Sequence, residues 1–277
     1  MYDRITLGVN GDCSLIQTRL CNHPECVFPI SITKDETYEP ITYIVFDPTD
    51  DIFILNQYVC VVAEYIIDRY ETRMLRRILE EHYPDLSPVQ KREILKNIES
   101  FSDDPDVGYK ARRQSVLLSV FDYLKEDSTM FLDGFVAFRL KDYEILLLLL
   151  AEKLVDHYMT QKEYEEFISL LKYFVNVQSP RPELVHIFVH SEGGYTLSDE
   201  RGEDITARCF ADFLDGEVLL TEEAYDDLLI SVLITLAPQK LSIHHADAIK
   251  NQELFTTISR VFDGNVEFCS ACPLCKK

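Results

Sequence analysis

KLSIHHADAIKNQELFTTISRVFDGNVEFCSACPLC, residues 240–275, is the stretch that decides how the C-terminal part of this chain folds. Lys240–His245 is short, alternates polar and apolar side chains and reads as a strand. Asp247–Phe262 carries Ile249, Leu254 and Ile258 at spacings that give a helix one apolar face, and Gly264 supplies the stop. Asn265–Cys269 reads as a second strand. Strand, helix and strand in this order predict a β-α-β unit with parallel strands and a right-handed crossover. Parallel strands end on one edge of a sheet, so His244, His245 and Cys269 are expected to emerge near one another.

Cys269, Cys272 and Cys275 then form a C-x2-C-x2-C run. Three thiols at that spacing can point at one centre, which is what a zinc ion or an iron–sulfur cluster requires. Exposed thiolates without a partner oxidise, which favours a bound cation over a free tail. The run supplies three donors, so a fourth has to come from elsewhere. Alternation along the strand sends one of His244 and His245 to each face, and either can be the fourth ligand of a Cys3His site. The other cysteines make weaker cases. Cys13, Cys21, His23 and Cys26 form a Cys/His patch, but C-x4-C is not a zinc spacing and Pro24 indicates a turn. Cys60 and Cys209 lie in apolar helical patterns and read as small core residues. His186 and His190 share a face of one strand, yet four residues of strand span about 13 Å, too far for a common ion.

Working outward, Ser179-Pro180-Arg181-Pro182 is the clearest boundary, because two prolines so close cannot continue a helix. Three parts follow: a β-rich part over 1–51, a helical middle over 52–178 and an α/β part over 183–277. The fold class is therefore α+β. In the first part Ile5–Val9, Val27–Thr33 and Ile41–Phe46 read as strands. In the middle Val59, Val62, Ile66, Tyr70, Met74 and Ile78 mark one face of a long helix, and Ser87-Pro88 opens a shorter one. Helices are also expected over Ala111–Lys125, Thr129–Tyr158 and Lys162–Val175, with a loop over Ser102–Gly108. In the last part Leu184–His190 alternates as a strand, Gly193-Gly194 marks a hairpin, and Thr221 caps a helix running to Ala237.

Composition narrows the function classes. The chain has 277 residues, 47% hydrophobic, enough for a substantial core, and a net charge of -21. So negative a surface repels phosphate backbones and anionic lipids, so neither a nucleic acid nor a membrane is expected as partner. The first ten residues have no apolar core typical of a secretory leader, and the longest apolar runs fall well short of the ~20 residues of a spanning helix. A cytoplasmic location is expected, where clustered cysteines read as metal ligands sooner than as disulfides. Arg69, Arg73, Arg76 and Arg77 make a basic stripe that Arg112 and Arg113 could extend into an anion-binding patch. Residues 68–113 nevertheless hold ten basic and ten acidic side chains, so ion pairs on a solvated face explain it more simply. Asp47, Asp50 and Asp51 follow a strand, where carboxylates can hold Mg²⁺, but Asp-Pro-Thr-Asp-Asp is also an ordinary turn. No G-x-G-x-x-G, Walker A, H-E-x-x-H or G-x-S-x-G run is present.

Asp133-Gly134-Phe135-Val136-Ala137-Phe138-Arg139-Leu140-Lys141-Asp142-Tyr143 resembles the GF-x-x-FRLKDY signature of the YtxC sporulation protein family of spore-forming Firmicutes. Glu163–Ile168 and Leu171–Val175 are similar to the EY-x-EFI-x-LL-x-YFV stretch that follows it. The specific part covers about residues 130–180. The resemblance implies a cytoplasmic protein linked to sporulation and offers no catalytic residue to transfer. The first reading is thus a non-enzymatic protein, stabilised by zinc or an iron–sulfur cluster and acting through a protein partner. The second is an enzyme that uses the C-terminal thiols for iron–sulfur or redox chemistry.

Overall fold

A computed structural model of the chain describes residues 4–25, 27–35, 41–47, 52–178, 182–211, 222–269 and 272–276. The chain forms two compact units, 1–159 and 160–277. Both mix sheet and helix, and the α+β class holds.

The first unit contains a four-stranded sheet of order β2-β3-β1-β4, built from β1 (Ile5–Asn10), β2 (Ile30–Asp35), β3 (Ile41–Phe46) and β4 (Thr129–Phe131). β1 and β2 each pair antiparallel with β3, whereas β4 joins β1 in parallel. The second strand begins three residues later than the sequence suggests, and the segment before it contains helix α1 (Ser14–Cys21). α1 buries Ile16 and Leu20, and Cys13 just ahead of it is buried too. α2 (Ile52–His82) lies over this core with Val59, Val62, Ile66, Tyr70, Met74 and Ile78 inward, the face its periodicity marks. Tyr58 of α2 stacks on Phe46 of β3 with ring centroids 4.4 Å apart. α3 (Pro88–Leu95) starts at a capping box, Ser87 accepting from the Gln90 amide while the Gln90 side chain accepts from the Ser87 amide. α4 (Tyr109–Glu126) follows the Ser102–Gly108 loop.

The segment read from sequence as one helix over Thr129–Tyr158 divides instead into β4, α5 (Leu132–Arg139) and the start of α6 (Lys141–Val177). α6 then runs on without the break expected near residue 160. Thr160, Gln161 and Lys162 are polar and interrupt the apolar pattern, but Gln and Lys are good helix formers and no Gly or Pro stops the helix there.

In the second unit α6 contributes Ile168, Leu171 and Val175 to a core shared with a sheet of order β6-β5-β7-β8. The strands are β5 (Leu184–Val189), β6 (Tyr195–Ser198), β7 (Lys240–His244) and β8 (Val266–Phe268). β5 and β6 form the hairpin, and β5, β7 and β8 run parallel, with Leu241 opposite Val266 and Ile243 opposite Phe268. α7 (Thr206–Ala211), α8 (Glu222–Leu236) and α9 (Gln252–Val261) complete it. Val185, Ile187, Leu241 and Ile243 are fully buried together with Leu229 and Leu233 of α8 and Leu254 and Ile258 of α9. α9 starts five residues later than its apolar pattern suggests. His245 adopts a left-handed conformation (φ 58, ψ 46), Ala246–Ala248 make a 3-10 turn, and Asn251 caps the helix through the Leu254 amide. Ile249 therefore packs against the core from a loop. Thr221 lies outside the described residues, as do residues 179–181 of the proline-rich segment. Among the described residues no helix is long and apolar enough to cross a membrane.

Candidate metal centre

Side chains alternate across β5 and β7, so the residues between the buried ones share the opposite sheet face: His186 and Phe188 on β5, Ser242 and His244 on β7. β7 ends at His244 with that ring only 2% exposed. The Cys269 amide donates to the Ile243 carbonyl at 2.8 Å, which carries the parallel pairing one residue past β8 and brings Cys269 to the same edge. Cys272 and Cys275 are joined by a tight turn in which the Cys275 amide donates to the Cys272 carbonyl at 3.1 Å, part of the 3-10 turn Pro273–Lys276. Pro273 suits that turn because its fixed φ matches the helical region.

The result is a convergent set of four donors. Nδ1 of His244 lies 3.2 Å from Sγ of Cys275 and 3.5 Å from Sγ of Cys272. The Cys275 sulfur is 3.6 Å from that of Cys272 and 3.8 Å from that of Cys269. All four atoms lie within 4.8 Å of one another, and together they could hold one metal ion. Among the described residues no other group of three or more His, Cys, Asp or Glu side chains converges in this way. His245, the other strand-end histidine, is half-buried and is not part of the set; its left-handed backbone begins the next turn.

Electrostatics agree with the geometry. Burial, with the neighbouring His186 and His245, pushes the His244 pKa down, so the ring is held neutral and its Nδ1 lone pair is free to bind a cation. Burial, then the adjacent Cys272 and Cys275 thiols, pushes the Cys269 thiol up to about 11. Burial raises the cost of a Cys272 thiolate as well, but hydrogen bonds from the Cys275 amide, the two flanking thiols and the Leu274 amide outweigh it and hold that pKa below the ordinary value. The far side of the His244 ring is also engaged: Nε2 is 2.9 Å from Nδ1 of His186 and 3.2 Å from Oγ of Ser242. Phe188, directly opposite on β5, stacks on the ring at 4.4 Å and 13°. An open depression of about 420 Å³ lies alongside, lined in part by His186, Ser242, Glu267 and Phe268.

The remaining candidates do not converge. Cys13 is buried and accepts from the Gln17 amide nitrogen at 2.8 Å, Cys21 is exposed, His23 packs edge-on against Phe28, and Cys26 lies outside the described residues. Cys209 is buried and Cys60 half-buried, as core positions. Asp47 pairs with Arg4 at 2.6 Å, and Asp50 and Asp51 lie outside the described residues. His190 bonds Thr196 at 2.7 Å. Of the arginines, Arg69, Arg73 and Arg76 are exposed on α2, and Arg73 lies 3.7 Å from Asp133. Arg112 is off that stripe: it is buried against Glu71 at 2.8 Å, and Arg113 pairs with Glu64 at 2.9 Å.

What these features define is an α+β protein with a four-donor Cys/His centre at the carboxyl edge of its second sheet. The YtxC-like family model matches residues 56–267, more than half of the chain, and the chain belongs to that family. A relative from Bacillus subtilis (strain 168), named uncharacterized protein YtxC, is 28% identical over 214 residues, covering 75% of this chain and 74% of that protein. No solved structure matches. The family match includes His186 and His244 and stops short of Cys269, so the reading of the thiols rests on the geometry of this chain.

Proposed function

We propose that the C-terminal centre binds one zinc ion through Cys269, Cys272, Cys275 and Nδ1 of His244, and that the ion serves to stabilise the fold. The spacing of the four donors is the observation that carries this reading. A tetrahedral zinc with Zn–S near 2.3 Å and Zn–N near 2.0–2.1 Å puts sulfurs about 3.8 Å apart and nitrogen and sulfur about 3.6 Å apart. The sulfur pairs at 3.6 and 3.8 Å and the nitrogen–sulfur pair at 3.5 Å lie close to those edges, the nitrogen–sulfur pair at 3.2 Å is shorter, and all four donors lie within 4.8 Å of one another. An iron–sulfur cluster is the poorer fit, because its protein ligands are divided among two or four irons and the sulfurs have to spread around the cluster. Four protein donors also leave no open position for substrate, which is the mark of a structural zinc site as opposed to a catalytic one.

In this reading the protein is cytoplasmic and non-enzymatic, takes part in sporulation as the family resemblance implies, and acts through a protein partner. Elemental analysis of protein purified without oxygen tests the metal. One zinc per chain, with a colourless solution, is the expected result. Iron with absorption near 400 nm refutes the single-ion site, and no metal at all refutes the centre. Deleting the gene in a spore-forming host and counting heat-resistant spores tests the sporulation link.

A further inference from the structure

We infer that His186 is a positioning residue for the metal centre: it accepts the Nε2 proton of His244 and so fixes Nδ1 as the ligating atom. This rests on the zinc reading above. A histidine that binds a metal is neutral and carries its one proton on the other nitrogen, and the partner of that proton fixes the tautomer and the ring orientation. For His244, Nδ1 faces the Cys272 and Cys275 sulfurs, so the proton belongs on Nε2. Two acceptors are within reach, Nδ1 of His186 at 2.9 Å and Oγ of Ser242 at 3.2 Å.

His186 is the better placed of the two. Its imidazole Nδ1 presents one lone pair in the ring plane, and as a neutral ring it carries its own proton on Nε2, away from His244. The Ser242 hydroxyl rotates and is bound to the same strand as His244, so it can follow the ring but cannot hold it. The position of His186 is set by register. In the parallel β5–β7 pair His186 sits opposite Ser242 and Phe188 sits opposite His244. Phe188 stacks flat on the ring, and His186 meets its far edge from two residue pairs back along the strands. Ring plane and ring rotation are thereby both fixed from β5.

The full-length protein supports a direct test. Zinc affinity is measured by competition with a chromophoric chelator for wild type, His186→Leu, His186→Asn and Ser242→Ala. His186→Leu removes the acceptor and is expected to weaken zinc about 10–100-fold. His186→Asn places an amide oxygen, Oδ1, at the same δ position as Nδ1 and is expected to restore most of the affinity, which a purely packing role for the ring would not predict. Ser242→Ala is expected to change affinity less than threefold or so, since it leaves the His186 acceptor in place. In wild type, nitrogen-15 NMR of the zinc-loaded protein should show the His244 proton on Nε2 and the metal on Nδ1, a readout that needs no variant to fold. His186→Leu with wild-type affinity, or a His244 proton on Nδ1, overturns the role of His186 while leaving the zinc site standing. Wild-type protein that takes up no zinc overturns the site and this inference with it.

Discussion

The residue contacts of greatest consequence outside the metal centre surround Glu71. Its carboxylate accepts from Nε of Arg112 at 2.8 Å and from the Tyr143 hydroxyl at 2.6 Å, while the Arg112 guanidinium also donates to the Val107 carbonyl at 2.5 Å. Both charged side chains are almost wholly buried. Removing one partner leaves the other charge uncompensated in a low-dielectric core, so Glu71→Ala is expected to cost about 3–5 kcal/mol in urea unfolding. Replacing the pair together with leucine should cost less than the single change. Tyr143→Phe loses a hydrogen bond to a charged group, an expected loss of about 1.5–3 kcal/mol. This cluster is also where single-residue reading met its limit. Arg112 sits in a charge-balanced run that looks like a solvated surface, and only the packing of α4 on α2 shows it to be core. His186 illustrates the same limit at the centre. Spacing along its own strand argues against a shared ion with His190, and its true neighbour lies across a strand pairing that composition does not reveal. The cysteine spacing and the placing of a histidine at the strand end, by contrast, are legible in the sequence, because turn geometry and alternation are local properties, whereas the choice of His244 over His245 depends on the fold.

Among the elements, the loop from Ser102 to Gly108 is held closely at its junction with α4. A Cβ on Gly108 would stand 2.2 Å from the Asp104 carbonyl oxygen and 2.6 Å from that of Ser102, both backbone atoms that cannot swing aside. Its φ of -63 suits any residue, so the demand for glycine is steric. Gly108→Ala is expected to destabilise by about 1–3 kcal/mol, visible as a lowered Tm. In the same loop Asp104 pairs with Lys153 of α6 at 2.6 Å, and that hydrogen bond, then the Val107 amide, holds its carboxyl down to about 2 against a usual 3.8. A depressed folded-state pKa gives stability that is present above the unfolded value and lost as pH falls. The contribution should disappear between about pH 4 and 2, and Asp104→Asn should flatten the acid limb of a stability-versus-pH curve in that window. Periodicity served the long elements unevenly. It marked the buried face of α2, but the C-terminal part of α6 carries apolar side chains both inward (Ile168, Leu171, Val175) and outward (Phe167, Leu170, Phe174), so no single face stood out. The eight residues of α1 have little amphipathic contrast and give only a weak helical signal in the sequence.

At the scale of the whole molecule, charge and domain organisation set the outcomes. With a net charge of -21 and the exposed arginines of α2 balanced by acidic neighbours, no submicromolar affinity for DNA or RNA is expected at physiological salt. A mobility-shift titration that found such binding, abolished in Arg73→Glu/Arg76→Glu, would contradict this. The two compact units have separate cores, one over residues 5–158 and one from residue 168 onward, and the four metal donors all belong to the second. On the zinc reading, loss of the ion should therefore act unevenly. A bound cation would lower the pKa of the three thiols, and without it the clustered sulfurs would revert towards thiols and release the turn that Cys272 and Cys275 close. The sheet of the second unit loses the tether across β7 and β8 at its carboxyl edge but keeps its apolar layer. Unlike a zinc finger, such a unit is large enough to retain a core without metal. Cys272→Ser is thus expected to lose zinc and to become susceptible to limited proteolysis near the C-terminus, while the first unit keeps its protease-resistant fragment and its helical circular dichroism. If the variant were cut as readily in α2 or α4 as at the C-terminus, the two cores would be one cooperative structure, and the ion would stabilise more than the edge it sits on.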